Sequence, residues 1–336
     1  MSSNQKLIDS LTSRQIFIER YSKGEAKRLF SHLKRLSDTL KRTISKDYDR
    51  ITAVRLARQI STLTEAIIKE FGADLTQGLT EFAKEEALFA SQAVIAATSA
   101  EIINPASLNQ IQAVLTKKKM SLLVGQKVQK LTVDEAISSF SKSKAKEVAQ
   151  IIRDGATIGR TSQQIISDIT NLVNTRMKHQ AASLVRTTTN HMGGQARSAT
   201  YAANDDVITG EEYVATLDSH TTISCSSLDG NIYPIGEGPM PPIHWSCRSV
   251  RTPKINPKYN LGADITGERA SSDGPVSANT TYGGYLKRQS KAVQNEVLGK
   301  ERATLFRSGK LSIGKFTDDT GKVYSLARLK ELNNLT

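Results

Sequence analysis

Cysteine is nearly absent: Cys225 and Cys247 are the only two in 336 residues. Two thiols do not make a disulfide scaffold, so the chain must hold together by apolar burial. Aromatic residues are also scarce, 5% with a single tryptophan, which suits helical bundles of Leu, Ile, Val and Ala better than a β-sandwich. Long apolar runs are missing. The most hydrophobic stretch, residues 87–100, is broken by Ser91-Gln92 and Thr98-Ser99; it falls short of the roughly 20 apolar residues of a membrane span and reads as a buried helix. The opening residues lack a continuous apolar core and a small-residue cleavage site, which predicts a chain that begins in the cytoplasm. No Walker loop, dinucleotide fingerprint or His-Glu-x-x-His pattern is present.

Positive charge is plentiful. Lys and Arg number 46 against 33 Asp and Glu, a formal charge of +13, which points to a polyanionic neighbour, double-stranded DNA first among them, or to a solvated basic surface. Much of the excess is local: residues 14–58 carry thirteen basic against five acidic side chains. Residues 13–70 hold no proline and one glycine, and Leu29, Leu33, Leu36 and Leu40 recur at helical spacing. The pairs Lys27-Arg28, Lys34-Arg35 and Lys41-Arg42 repeat every seven residues, so they form a cationic flank beside the leucine stripe. Few aromatics interleave with them, so phosphate contact without base stacking is the expected mode. A membrane-surface role is disfavoured, because the apolar face lacks tryptophan and is narrow.

At 336 residues the chain exceeds the usual single-core limit of about 250 to 300. The expected fold is mainly α, with an elongated helical N-terminal region and a small α+β Cys/His module. The expected division is a basic helical region 1–103, a helical bundle 104–210, a β-rich Cys/His module 211–256, a linker 257–284 rich in Asn, Pro, Gly, Ser and Thr, and a small α+β segment 285–336. Gly72 is expected to close the first helical run, Asp74 to cap the next, and Pro105 to begin another. A capping box at Thr132–Glu135 opens one helix, Gly155 is expected to end the following one, and a second box at Thr161–Gln164 opens a third. A long helix over 176–203 contains Gly193-Gly194, which needs either a break or a close neighbour. Helices are expected over 285–297, 300–307 and 327–332, with strands at 311–316 and 323–326 pairing across Asp318–Gly321.

Residues 215–253 hold both cysteines, the tryptophan and two of the five histidines. An Asp229-Gly230 turn ahead of Ile232-Tyr233 predicts a hairpin that returns Cys225 to the His244-Trp-Ser-Cys247 pair, with Pro239, Pro241 and Pro242 keeping the returning strand extended. Three readings fit. Cys225, His244 and Cys247 bind zinc with Asp218 or His220 as fourth ligand; the two cysteines form a disulfide; or the thiols are small buried hydrophobes beside a hydrogen-bonded core histidine. Cys225, His244 and Asp218 also supply the residue types of a nucleophilic hydrolase, and Asp229 could act as base in a zinc hydrolase. No nucleophile elbow or other activation pattern accompanies them, so no enzyme activity is expected.

The order Asp218, Thr222, Cys225, Asp229-Gly230, Pro241-Pro242, His244, Cys247-Arg248 resembles that of the Mu-type minor head proteins, the phage head morphogenesis proteins. The likeness includes Arg186-Thr187 upstream and residues 285–311 downstream, roughly the last two thirds of the chain. It departs in one place: the family often ends this pattern in Cys-Arg-Cys, and here Ser249 stands last. The resemblance implies docking of the Arg186 helix face against the Cys/His module. It also implies a minor capsid component of a tailed phage, in the virion at the capsid interior or portal vertex and in the host cytoplasm during assembly, with portal, major capsid or scaffold protein as partner and no membrane. An internal DNA-binding protein ejected with the genome is the alternative, and a zinc-dependent hydrolase a more distant one.

Overall fold

The computed structural model describes residues 2–261 and 267–334. It is mainly helical with three small sheets. Two 45-residue helices, α1 (Ser3–Asp47) and α2 (Ala53–Ala97), run antiparallel and at 1.5 Å per residue are each about 67 Å long. Leu29, Leu33, Leu36 and Leu40 are fully buried along their seam, as the spacing requires. The chain reverses at residues 48–52, where the Thr52 side chain caps α2.

Gly72 does not end a helix, and Asp74 caps none. Both lie inside α2, and a Cβ at Gly72 would stand 2.5 Å from Cγ2 of Ile137 on a later helix. The glycine permits a close helix crossing. Pro105 likewise precedes its helix instead of starting it. Asn104 N donates to Asn204 Oδ1 (2.9 Å) and Ala106 N to Thr200 Oγ1 (3.0 Å), which ties this stretch to residues 200–204, so α3 (Leu108–Thr116) begins only after Ser107. The hairpin β1 (Met120–Val124) and β2 (Lys127–Leu131) leads to α4 (Val133–Thr157), α5 (Ser162–Leu172), a π turn Val173–Met177, and α6 (Lys178–Ala202). Both expected capping boxes are present. Gly155 lies within α4, where a Cβ would stand 2.7 Å from Cδ1 of Ile165. One apolar core joins α1 through α6.

Most of the remaining elements share a second core, and a third cluster, including Leu7, Val94, Tyr201, Ile208 and Ile255, joins the ends of the long helices to the sheet that follows. Strand β3 (Ile208–Val214) lies between β4 (Ile232–Tyr233) and β5 (Val250–Ile255), all antiparallel, with α7 (Ile223–Leu228) between β3 and β4. After the short pair β6 (Glu268–Arg269) and β7 (Val276–Ser277) come α8 (Tyr282–Lys287), α9 (Lys291–Leu298), α10 (Lys300–Arg307) and α11 (Leu326–Leu332). The helix expected over 285–297 is divided, because Gln294 Nε2 turns back to the carbonyls of Leu286 (2.9 Å) and Gln289 (3.1 Å) and Ser290 caps a new helix. The strand expected at 311–316 contains a 3₁₀ turn instead, with the Ile313 carbonyl held by Ser227 Oγ at 2.8 Å; pairing is limited to a Thr317–Val323 bridge. Among the described residues no helix is long and apolar enough to cross a membrane.

His191, on α6, is 1% exposed, and burial holds its imidazole down to about 4 from an ordinary 6.5. Between those values the unfolded chain binds the proton and the folded chain does not, so acid favours unfolding. Stability should be full above pH 6.5 and fall by up to about 3 kcal/mol as pH approaches 4. His191→Gln should flatten that slope in denaturant titrations. An unchanged slope would remove His191 as its source.

Candidate metal centre

Helix α6 prepares the site. Ser183, Thr187, Asn190 and Gly194 follow one another at steps of four, three and four, so they form one stripe, and that stripe receives the loop ahead of β5. Ser183 Oγ and Ser246 Oγ are 2.9 Å apart, Ser246 N donates to Thr187 Oγ1 at 2.8 Å, and Asn190 Nδ2 donates to the carbonyls of Cys247 (3.0 Å) and Ser249 (3.2 Å). Gly194 faces the Pro241 carbonyl, 3.5 Å from where a Cβ would stand, an ordinary contact distance that a side chain such as alanine would also tolerate. The expected docking is present, but Arg186 takes no part in it. Its guanidinium faces Glu19 of α1, with Nε 3.2 Å from Oε2.

On this support, Cys225, His244 and Cys247 converge, their ligand atoms within 4.8 Å of one another. Cys225 Sγ is 3.1 Å from His244 Nε2 and 3.6 Å from Cys247 Sγ. Both thiols are free and buried. His244 Nδ1 faces the Trp245 carbonyl at 2.9 Å, which leaves Nε2 for the cluster. Burial pushes the Cys225 thiol up. Burial also opposes ionisation of Cys247, but the Cys225 thiol and the His244 imidazole beside it hold it well below the ordinary thiol range. For His244, burial is outweighed by the neighbouring Cys247 and the imidazole is raised. Two sulfurs and a nitrogen at this spacing can hold a metal ion.

The route to this convergence differs from the expected hairpin. Leu228 ends a helix, not a strand, and Cys225 lies in the first turns of α7, whose cap is Thr222. Gly230 does adopt a left-handed φ of +84°. Asp229 has a larger part than a turn residue: its carboxylate accepts from Ala215 N (2.7 Å) and Tyr282 N (2.6 Å) and pairs with buried Arg269 (2.6 Å). The Pro239–Pro242 stretch is an irregular loop with a cis Pro241-Pro242 bond, and β5 starts at Val250.

Asp218 and His220 do not join the cluster. Both Asp218 oxygens face Arg248, one at 2.9 Å, and Oδ1 also accepts from Thr221 Oγ1 (3.1 Å) and His220 N (3.0 Å). Burial opposes the charge on Asp218, but Arg248 holds its carboxyl below the ordinary value. An aspartate so engaged is a structural partner of Arg248 and not a free ligand. A further donor beside Cys225 is a hydroxyl that the spacing of Cys and His could not reveal: Tyr213 Oη is 3.2 Å from Cys225 Sγ.

The basic pairs lie on α1 and are no part of the cluster. Lys27, Arg28, Lys34, Arg35 and Arg42 are exposed and Lys41 half-buried. Arg28 pairs with Glu25 (2.8 Å), Lys34 with Asp38 (3.0 Å) and Arg35 with Glu70. Exposed pairs of this kind contribute about 0–1 kcal/mol and exchange readily with another anion. Lys178 of α6, which the heptad pattern could not disclose, lines the same shallow cleft as Lys34 and Lys41.

Residues 146–252 match the family described as Phage Mu protein F like protein. The matched segment runs from within α4 to within β5 and contains the α6 stripe, Asp218, Asp229, all three cluster residues and Ser249. It lies within the likeness read from the sequence and covers less of the chain, and the likeness at 285–311 lies outside it. No curated protein and no solved structure matches the chain.

Proposed function

We propose that this chain is a minor head protein of a tailed phage, built into the particle at the portal or inner capsid wall during head assembly and without catalytic activity. The observation that carries the reading is the coincidence of the family match with one structural unit, α6 and the Cys/His loop docked on it. Both thiols are at most 1% exposed, a poor setting for a nucleophile that must meet a substrate. The reading places the protein in the virion, with portal, major capsid or scaffold protein as its contact. Purified particles should contain it in a few copies, and it should co-purify with portal protein from assembling heads. Its absence from particles would refute the assignment.

In this reading, zinc at Cys225, His244 and Cys247 ties α7 to the loop before β5. Purified protein should hold about one zinc per chain, and chelation should loosen residues 215–253 while leaving α1 to α6 folded. The basic stripe of α1 contacts packaged double-stranded DNA through phosphates. Replacing Lys27, Arg28, Lys34, Arg35, Lys41 and Arg42 together should weaken DNA binding and flatten its salt dependence, with a slope loss of up to about 0.9 per phosphate contact removed. If the unaltered protein shows no affinity for DNA at low salt, the stripe serves an acidic protein surface instead.

A further inference from the structure

A cavity of about 1070 Å³ opens between the β1–β2 hairpin, α3, α6 and the loop 235–243. Pockets for small ligands run from about 300 to 1,000 Å³, so this one has room for a stretch of chain. One face of the hairpin forms its wall. Ser121 stands opposite Lys130 and Leu123 opposite Val128 across the two strands, such partners share a face, and all four line the cavity. The loop adds Ile235, Met240 and Ile243.

The charge around this apolar wall is one-sided. Lys118, Lys119 and Lys130 line the cavity and are exposed, with Asp319 the one carboxylate among the lining residues. Residues 117–130 carry five lysines and no acid. Among the described residues only Lys119 of these three has an ionic partner, Glu135 at 3.6 Å, and both side chains are about half-exposed, a pair that exchanges readily with another anion. The backbone adds an open edge. Leu123 N donates to the Ile243 carbonyl at 2.7 Å, away from β2, and in an antiparallel ladder alternate residues turn both backbone groups to the same edge. The amide and carbonyl of Ser121 therefore face that edge too, and among the described residues no backbone group pairs with them there. An open edge beside apolar side chains is suited to an extended chain.

We propose that this groove docks an extended acidic segment of a partner protein, with its carboxylates on Lys118, Lys119 and Lys130, its apolar side chains on Ile235, Met240 and Ile243, and its backbone against Ser121. Nucleic acid fits less well, since phosphates gain nothing from apolar walls and no Phe, Tyr or Trp lines the cavity for a base to stack on. Under the head-protein reading above, a portal or scaffold protein would bring such a segment, but the chemistry of the groove does not depend on that reading.

Fluorescence anisotropy on the full-length protein tests this with a dye-labelled decapeptide of alternating glutamate and leucine. That peptide should bind, and its lysine–leucine counterpart should not. Lys118→Glu/Lys130→Glu should weaken binding by about tenfold, whereas Lys34→Glu/Lys41→Glu on α1 should leave it within about twofold. A glutamate–serine decapeptide should bind about fivefold more weakly or worse, because it lacks the apolar contacts. Ser121→Pro, shown by circular dichroism to be folded, removes the edge amide and should weaken binding several-fold. The proposal is overturned if the glutamate–leucine peptide does not bind at concentrations up to about 1 mM, if the glutamate–serine peptide binds as well, or if folded Lys118→Glu/Lys130→Glu keeps its affinity. Equal losses from the two lysine pairs also overturn it, as does displacement of the peptide by a DNA duplex, which would make the groove a nucleic-acid surface. Absence of the protein from purified particles would refute the head-protein reading and leave the peptide result untouched.

Discussion

Glu86→Ala should destabilise the helical body by about 3–5 kcal/mol, the cost of leaving a buried charge without its partner. Glu86 is fully buried on α2 between two arginines. Arg14 Nε of α1 donates to Oε1 at 2.7 Å, and Arg197 Nη1 of α6 donates to Oε2. Arg197 is itself 1% exposed, so no water is free to replace the lost carboxylate. Arg14 is better placed, 19% exposed and seated on the Phe17 ring at 4.1 Å. The loss should therefore come mainly from Arg197. A Glu86→Leu/Arg197→Leu double variant removes both deep charges and should recover much of the stability. Denaturant midpoints would measure both. A loss below about 1 kcal/mol in Glu86→Ala would mean that solvent reaches Arg197.

The same cluster explains Gly193. A Cβ there would stand 3.3 Å from Arg197 Nη1 and from Glu86 Cγ, and 3.0 Å from Phe82 Cε1. The sequence could signal that a helical Gly-Gly needs a reason, but the reason lies on another helix about a hundred residues earlier in the chain. Local features were legible for the opposite cause. The leucine stripe, the boxes at Thr132 and Thr161 and the left-handed Gly230 depend on residues a few places apart, and all appear as the spacing requires. Gly72 was misread because a glycine that ends a helix and one that admits Ile137 look alike in sequence. The candidate site divides in the same way. Cys225, His244 and Cys247 were legible by chemistry, since few other residues in the chain are soft donors. Asp218 was misassigned because Arg248, its actual partner, lies thirty residues on. Ser249 was legible only as a departure from a pattern, and its burial depends on how α6 holds the loop through Asn190.

The second large effect is expected at Asp229. Its carboxylate joins three separate pieces of chain: the Ala215 amide at the end of β3, the Tyr282 amide at the start of α8, and the Arg269 guanidinium of β6. Arg269 is 4% exposed and has few substitutes, since its other bonds go to the carbonyls of Ala215 and Thr280. Asp229→Ala would leave a buried guanidinium and two backbone amides unpaired, and should cost about 3–5 kcal/mol. Asp229→Asn retains one oxygen acceptor but not the charge, and should fall between. The Ser272 amide on the Leu217 carbonyl (2.9 Å), the Tyr282 hydroxyl on the Asp218 carbonyl (2.7 Å) and the burial of Tyr282, Tyr285 and Leu286 also hold β6, β7 and α8, so the loss should loosen this segment around Asp229 before the helical body opens. Hydrogen exchange should quicken at Tyr282 and Ala215 while α1 and α2 keep their protection. Exchange that quickens equally throughout would show the helical body and the module to unfold as one unit, coupled through the cluster that joins them. A loss smaller than about 1 kcal/mol would show that the Ala215 and Thr280 carbonyls alone suffice to hold Arg269.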